Sequence, residues 1–175
     1  KSKLKGWNFI SPFFFIYYSG LMLIKINPIL SPELLYQLRA MGHGDKLVLT
    51  DANFPAYSHS LNNKVIRLDG VDIYEATKAI LSVFPLDSFI DSAANRMQVD
   101  NKPDELTDCH KDFIKAVKET SGENWKVGSI ERQEFYKEAK KSQLIVSTSE
   151  MRPYGCFILT KGVIKPDGSV WVLDK

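Results

Sequence analysis

Residues 31–51, SPELLYQLRAMGHGDKLVLTD, contain a complete helix-to-strand transition, and their reading decides the fold. Ser31 offers an N-cap hydroxyl, Pro32 suits a first turn that needs no amide donor, and Glu33 sets a negative charge at the positive end of the helix dipole. Leu34, Leu35 and Leu38 supply the apolar stripe, and Gly42 stops the helix. Lys46–Thr50 then runs apolar up to Asp51, too short for a helix and bounded by turn formers, as a buried strand should be.

The same alternation continues outward. Val65–Leu68 reads as a second strand, and Asp72 caps a helix running to Val83, with Ile73, Ala76, Ile80 and Phe84 near helical spacing. Ser88–Val99 reads as extended, Asp104–Thr120 as an amphipathic helix closed by Gly122, Trp125–Ile130 as a strand and Glu131–Lys141 as a helix. Leu144–Ser149 and Cys156–Ile164 are the last two strands. Strands alternating with helices predict an α/β fold, a single compact domain with a central sheet flanked by helices, and no repeat or linker divides it.

The 175 residues are 44% apolar and 25% charged, with a net charge of +2, so one core is expected. The charges are dispersed, which argues against a nucleic-acid partner. Cys109 and Cys156 lack the close spacing of a metal knuckle and read as ordinary thiols in a reducing, cytoplasmic setting. Lys1, Lys3 and Lys5 precede an uncharged run, Trp7 to Ile24, of about 18 residues, the lower limit for crossing a bilayer. That run contains Pro12 and Gly20, and an organised domain begins at Met22. The expectation is therefore an N-terminal extension over 1–21 outside the fold, a domain over 22–175, and no membrane partner; a membrane-anchored interaction protein is the competing reading.

Several positions can carry chemistry. A Gly42-His43-Gly44-Asp45 segment tempts a dinucleotide reading, but such a loop follows a strand and opens a helix, the reverse of the order here. What remains is His43 between two glycines at a helix C-terminus, uncovered and suited to donating a proton. Asp51, at the end of a buried strand, lies where open α/β sheets bind ligands, although Asp, Asn and Pro also make ordinary turns. Arg132 and Tyr136, four residues apart, share one helix face. Tyr154-Gly155-Cys156 opens the final strand, with Gly155 allowing a close backbone approach, and Asp87 leaves a helix end for a strand. There is no Walker loop, nucleophile elbow, HExxH or CxxC, so no cofactor or metal is expected. A histidine, two aspartates, an arginine and a tyrosine suit a neutral, hydroxyl-rich ligand such as a sugar.

Several of these stretches, in order, carry a family resemblance: NPILSPELL from Asn27, MGHGD from Met41, DANFPA from Asp51, IRLDG from Ile66, PLD from Pro85, IERQEFYKEAK from Ile130, and Tyr154-Gly155. From about Met22 to Ile164 the chain resembles the fucose mutarotase and D-ribose pyranase family. The resemblance implies an isomerase that interconverts the α and β anomers of L-fucopyranose, with His43 as proton donor, Asp51 and Arg132 as sugar-binding residues, and Asp87 and Tyr136 as further active-site residues. It puts the family's Tyr-Gly-Asn segment on Tyr154, Gly155 and Cys156, so an amide contact to the sugar would be missing here. The D-ribose branch carries a histidine where this chain has Arg132, which favours the fucose side. Family members form ring-shaped decamers or smaller oligomers with sites near subunit interfaces, so a homo-oligomer is implied.

Opening a pyranose requires one proton delivered to the ring oxygen and one removed from the anomeric hydroxyl, a task for an acid and a base without a cofactor. His43 is the acid, and the base is open between Asp87, Tyr136 and water. D-ribose pyranase-type activity and a non-catalytic monosaccharide-binding module are the alternatives.

Overall fold

A computed structural model describes residues 23–60 and 64–173. The expected extension over 1–21 lies outside the described residues. Six strands, β1 (Lys46–Thr50), β2 (Lys64–Leu68), β3 (Ala94–Met97), β4 (Val127–Ile130), β5 (Leu144–Thr148) and β6 (Phe157–Thr160), form one sheet in the order β2-β5-β1-β6-β3-β4. β1 and β2 run parallel to β5, β3 runs parallel to β4, and β6 is antiparallel to both β1 and β3. Five strands therefore share one carboxyl-terminal edge, and β6 begins there.

Four helices, α1 (Pro32–Ala40), α2 (Ile73–Leu81), α3 (Asp108–Ser121) and α4 (Arg132–Lys141), cover the sheet. Leu47 and Leu49 of β1, Leu144 and Val146 of β5, and Phe157 and Leu159 of β6 face a core completed by Leu34, Ile80 and Phe113 of the first three helices. The intervening Val48, Ile145 and Ile158 face the other way and pack with Phe135 and Ala139 of α4. A strand buried on both faces shows a continuous apolar run instead of alternation, which is why LVL, LIV and FIL lack polar residues.

Element boundaries differ from expectation for local reasons. Helix α1 ends one residue earlier than Gly42 requires, because Met41 is already extended, and the left-handed turn falls on Gly44, at φ +84°. Of the extended stretch expected over Ser88–Val99, only Ala94–Met97 joins the sheet. Helix α3 starts at Asp108 and not Asp104, since Thr107 is the better cap: its Oγ1 accepts from His110 N and its own N–H donates to His110 Nδ1. Strand β6 stops at Thr160 because the chain at Pro85–Asp87 closes over Gly162, whose N–H donates to the Pro85 carbonyl at 2.9 Å. No helix among the described residues is long and apolar enough to cross a membrane.

Candidate functional site

His43 and Asp87 meet at the edge where β1 begins and β6 ends. His43 Nε2 lies 3.2 Å from Asp87 Oδ2; the imidazole is half exposed, whereas Asp87 is 3% exposed. Asp87 Oδ1 accepts from Phe89 N at 2.9 Å, and Asp87 N donates to the Thr160 carbonyl. The pair is a close charge contact, with Nε2 the ring nitrogen nearer the carboxylate. Phe89 packs against the imidazole with centroids 5.4 Å apart.

The loop carrying His43 is fixed by neighbours that sequence alone did not reveal. Gly44 N donates to the Lys161 carbonyl and Lys161 N to the Asp45 carbonyl, while Asp45 Oδ2 accepts from Gly42 N at 2.7 Å. The Lys161 ammonium donates to the carbonyls of Leu38 and Met41, both at 2.6 Å. The end of the α1 dipole is thus neutralised by Lys161, and His43 was not needed there. Burial lowers the Lys161 pKa from its ordinary value. Gly162 is equally necessary, since a Cβ there would fall 2.3 Å from the Leu86 carbonyl oxygen.

The remaining candidates gather at the opposite, carboxyl-terminal edge. Asp51 is buried: Oδ1 accepts from Asn53 N and Phe54 N, and Oδ2 from Gly155 N at 3.0 Å and the Cys156 thiol at 3.6 Å. Burial raises its pKa, and these hydrogen bonds oppose the shift. Two expectations change here. The space at Gly155 is filled by the chain itself, for a Cβ there would lie 3.1 Å from Asp51 Cβ and from Cys109 Sγ. The Cys156 side chain turns inward to Asp51, 3% exposed, so it makes no contact outward, and burial drives its thiol pKa well up.

Arg132 opens α4, and its Nε lies 3.0 Å from Asp100 Oδ1 at the side of a polar cleft of about 460 Å³ lined also by Gln98, Asn101 and Gln133. Tyr136, one turn on, stacks on Phe54 at 5.6 Å and against His59 at 5.1 Å. Burial, reinforced by Cys156, raises the pKa of its hydroxyl. That favours Tyr136 as a hydrogen-bond donor over its expected candidacy as base. Tyr154 sits at φ +61°, and its carbonyl accepts from Nε2 of the buried His110 at 3.0 Å. Arg152 braces the same loop by donating to both carboxylate oxygens of Glu150 and to Asp112, which depresses the Glu150 carboxyl to about 2.

One chain therefore brings together His43 with Asp87, and separately Asp51 with Arg132, Tyr136, Tyr154, Gly155 and Cys156. β1, five residues at about 3.3 Å each, puts roughly 17 Å of strand between the two groups, more than one sugar ring spans. No cluster of three or more His, Cys, Asp or Glu among the described residues is arranged to hold a metal ion.

Fold and site together define a small α/β protein whose candidate polar side chains gather at two opposite edges of one sheet. Residues 24–164 match the model of the RbsD / FucU transport protein family, and the chain belongs to that family. It is 44% identical to the fucose mutarotase of Danio rerio over 147 residues, covering 81% of this chain and 94% of that one. With the L-fucose mutarotase of Actinobacillus pleuropneumoniae serotype 5b (strain L20) it shares 40% identity over 144 residues, 81% and 97% of the two chains. The crystal structure of the fucose mutarotase from Streptococcus pneumoniae in complex with L-fucose superposes with a TM-score of 0.74 at 38% identity, over 82% of this chain and all of that one.

Proposed function

We propose that this chain is an L-fucose mutarotase, an isomerase that interconverts the α and β anomers by acid-base opening and closure of the pyranose ring. The observation that carries the reading is the His43–Asp87 pair, a half-exposed imidazole whose Nε2 lies 3.2 Å from a buried carboxylate. Protonated at Nδ1, His43 gives a proton to the ring oxygen as the bond from that oxygen to the anomeric carbon breaks. The anomeric hydroxyl loses its proton and becomes the aldehyde, and rotation followed by the reverse transfer closes the ring on the other face. Asp87, enclosed by Phe89 N and His43, orients the acid, and burial keeps the Tyr136 hydroxyl protonated, which leaves water as the base. Arg132, Tyr136 and Tyr154 hold sugar hydroxyls. Asp51, buried and accepting from Asn53 N, Phe54 N and Gly155 N, acts on the sugar through the loop it holds.

The two groups of residues lie on opposite edges, so the active assembly is a homo-oligomer in which one copy's His43 faces another copy's Arg132 edge. Phe89, packed on the His43 ring, Trp171, which meets Phe89, and the adjacent Ile90 and Val172 are exposed and supply apolar surface for such a contact. The two free, buried thiols, Cys109 and Cys156, accord with a cytoplasmic setting.

Two-dimensional exchange NMR of L-fucose and D-ribose anomers tests the function. Acceleration of L-fucose exchange, reduced about 10²–10⁴-fold by His43→Gln, is expected. Sugar binding without acceleration would leave a binding module, and faster D-ribose than L-fucose exchange would place the chain with the pyranases.

A further inference from the structure

The chain continues past the span shared with the family, and that continuation returns to the acid. After Ile164 it turns through Pro166-Asp167-Gly168 and pairs back, Ile164 bridging Val170 in antiparallel sense. Asp167 Oδ1 accepts from the N–H and the hydroxyl of Ser169, Lys165 N donates to the Ser169 carbonyl at 2.8 Å, and Gly168 takes φ +84° as the turn requires. The returning strap is fastened at two points. Trp171 N donates to the Val163 carbonyl, and Ser88 clasps the strap by donating its hydroxyl to the Trp171 carbonyl at 2.7 Å and accepting from Leu173 N at 3.2 Å. Ser88 directly follows Asp87, so the clasp sits on the segment that orients His43.

The strap also delivers an aromatic ring. Trp171 meets Phe89 edge-on, centroids 5.6 Å apart at 70°, and Phe89 in turn lies 5.4 Å from the His43 ring. An imidazole beside a single carboxylate can still turn against it; a second contact on the ring removes that freedom. Asp87 and Phe89 both meet the His43 ring.

We propose that Trp171, carried by the C-terminal strap, is a positioning residue that acts through Phe89 to hold His43 with Nε2 on Asp87 and Nδ1 toward the sugar. The proposal rests on the reading of His43 as the proton carrier. It requires no contact between Trp171 and the sugar, and Trp171 is 45% exposed, so its replacement does not open the core; because Trp171 also belongs to the apolar surface offered to a neighbouring copy, Trp171→Ala should keep the parent's oligomeric state, and a loss of assembly there would overturn the proposal.

The test compares the full chain with Trp171→Ala and Trp171→Phe. Anomer-exchange kinetics on L-fucose and the ¹⁵N resonances of the His43 ring are the readouts. Trp171→Ala should lower kcat about 10- to 30-fold with KM within about twofold, since alignment of the acid is lost and hydroxyl binding is not. Its His43 resonances should shift from a ring protonated at Nε2 toward a mixture of tautomers, and Trp171→Phe should restore both readouts. Unchanged His43 resonances and kcat in Trp171→Ala would overturn the proposal, as would a rise in KM at constant kcat. Should the unaltered chain exchange no anomers, the catalytic reading fails by itself, while the ¹⁵N comparison still decides whether the strap orients the ring.

Discussion

Replacing Gly162 by alanine perturbs the acid from a distance. A Cβ at that position would lie 2.3 Å from the Leu86 carbonyl oxygen, 2.7 Å from its carbon and 3.0 Å from Asp87 Cα. These are backbone atoms, so relief requires the Pro85–Asp87 segment to move as a unit. Overpacking of this kind costs about 1–3 kcal/mol. Two hydrogen bonds, Gly162 N to the Pro85 carbonyl and Asp87 N to the Thr160 carbonyl, are stretched with it. At about 0.5–1.5 kcal/mol each, they bring the loss to about 2–6 kcal/mol. For a chain of this length, at about 2–4 °C per kcal/mol, Tm should fall by about 4–24 °C. Asp87 moves with the segment, and misplacement of His43 by about an ångström should slow anomer exchange by up to about 10²-fold. Calorimetry and exchange NMR read the two effects, with Gly42→Ala as the control, where the nearest atom to a new Cβ is 3.8 Å away. A Gly162→Ala chain with the parent's Tm and exchange rate would refute the account of how Asp87 is placed.

Acid stability and the thiol give two more tests. The Glu150 carboxyl sits at about 2 in the fold against an ordinary 4.5, so its contribution, about 3 kcal/mol at most, is fully present above about pH 4.5 and is lost as pH falls toward 2. Chemical denaturation across that range should show the loss in the parent and a flatter profile in Glu150→Gln. Cys156→Ala should cost about 1–2 kcal/mol of stability through the buried gap it leaves, yet keep L-fucose exchange within about threefold, since the thiol faces Asp51 and not the solvent. A collapse of exchange with stability intact would mean that the side chain at 156 touches the sugar.

Much of the fold was legible because its signals are local. SPE opens α1, Asp72 caps α2, the helix expected over Glu131–Lys141 forms with Glu131 as its cap, and the apolar runs at 47–49, 144–146 and 157–159 became the central strands. Each candidate site residue could likewise be named from its type and setting. What could not be read was that Asp87 reaches His43 and Gly155 reaches Asp51, because that depends on β6 running against β1, a non-local pairing with no signature in either strand. Lys161 as the cap of α1, Gly162 as the point of close approach, and His110 beneath Tyr154 depend on partners 44 or more residues away. Only the glycine left a trace, as a Lys161-Gly162 pair ending an apolar run, and that trace reads equally well as a turn.

Subunit complementation tests the split site most directly. His43→Gln removes the acid at one edge, and Arg132→Met removes the sugar anchor at the other, so either variant alone should exchange L-fucose anomers poorly. When the two are unfolded together and refolded as mixed oligomers, about a quarter of the sites should pair an intact His43 with an intact Arg132 edge. The account predicts recovery of up to about a quarter of the parent rate in that mixture, and none when the separately assembled variants are merely combined. No recovery in verified mixed oligomers would contradict it, placing both residues on the same sugar within one chain or removing one of them from the site.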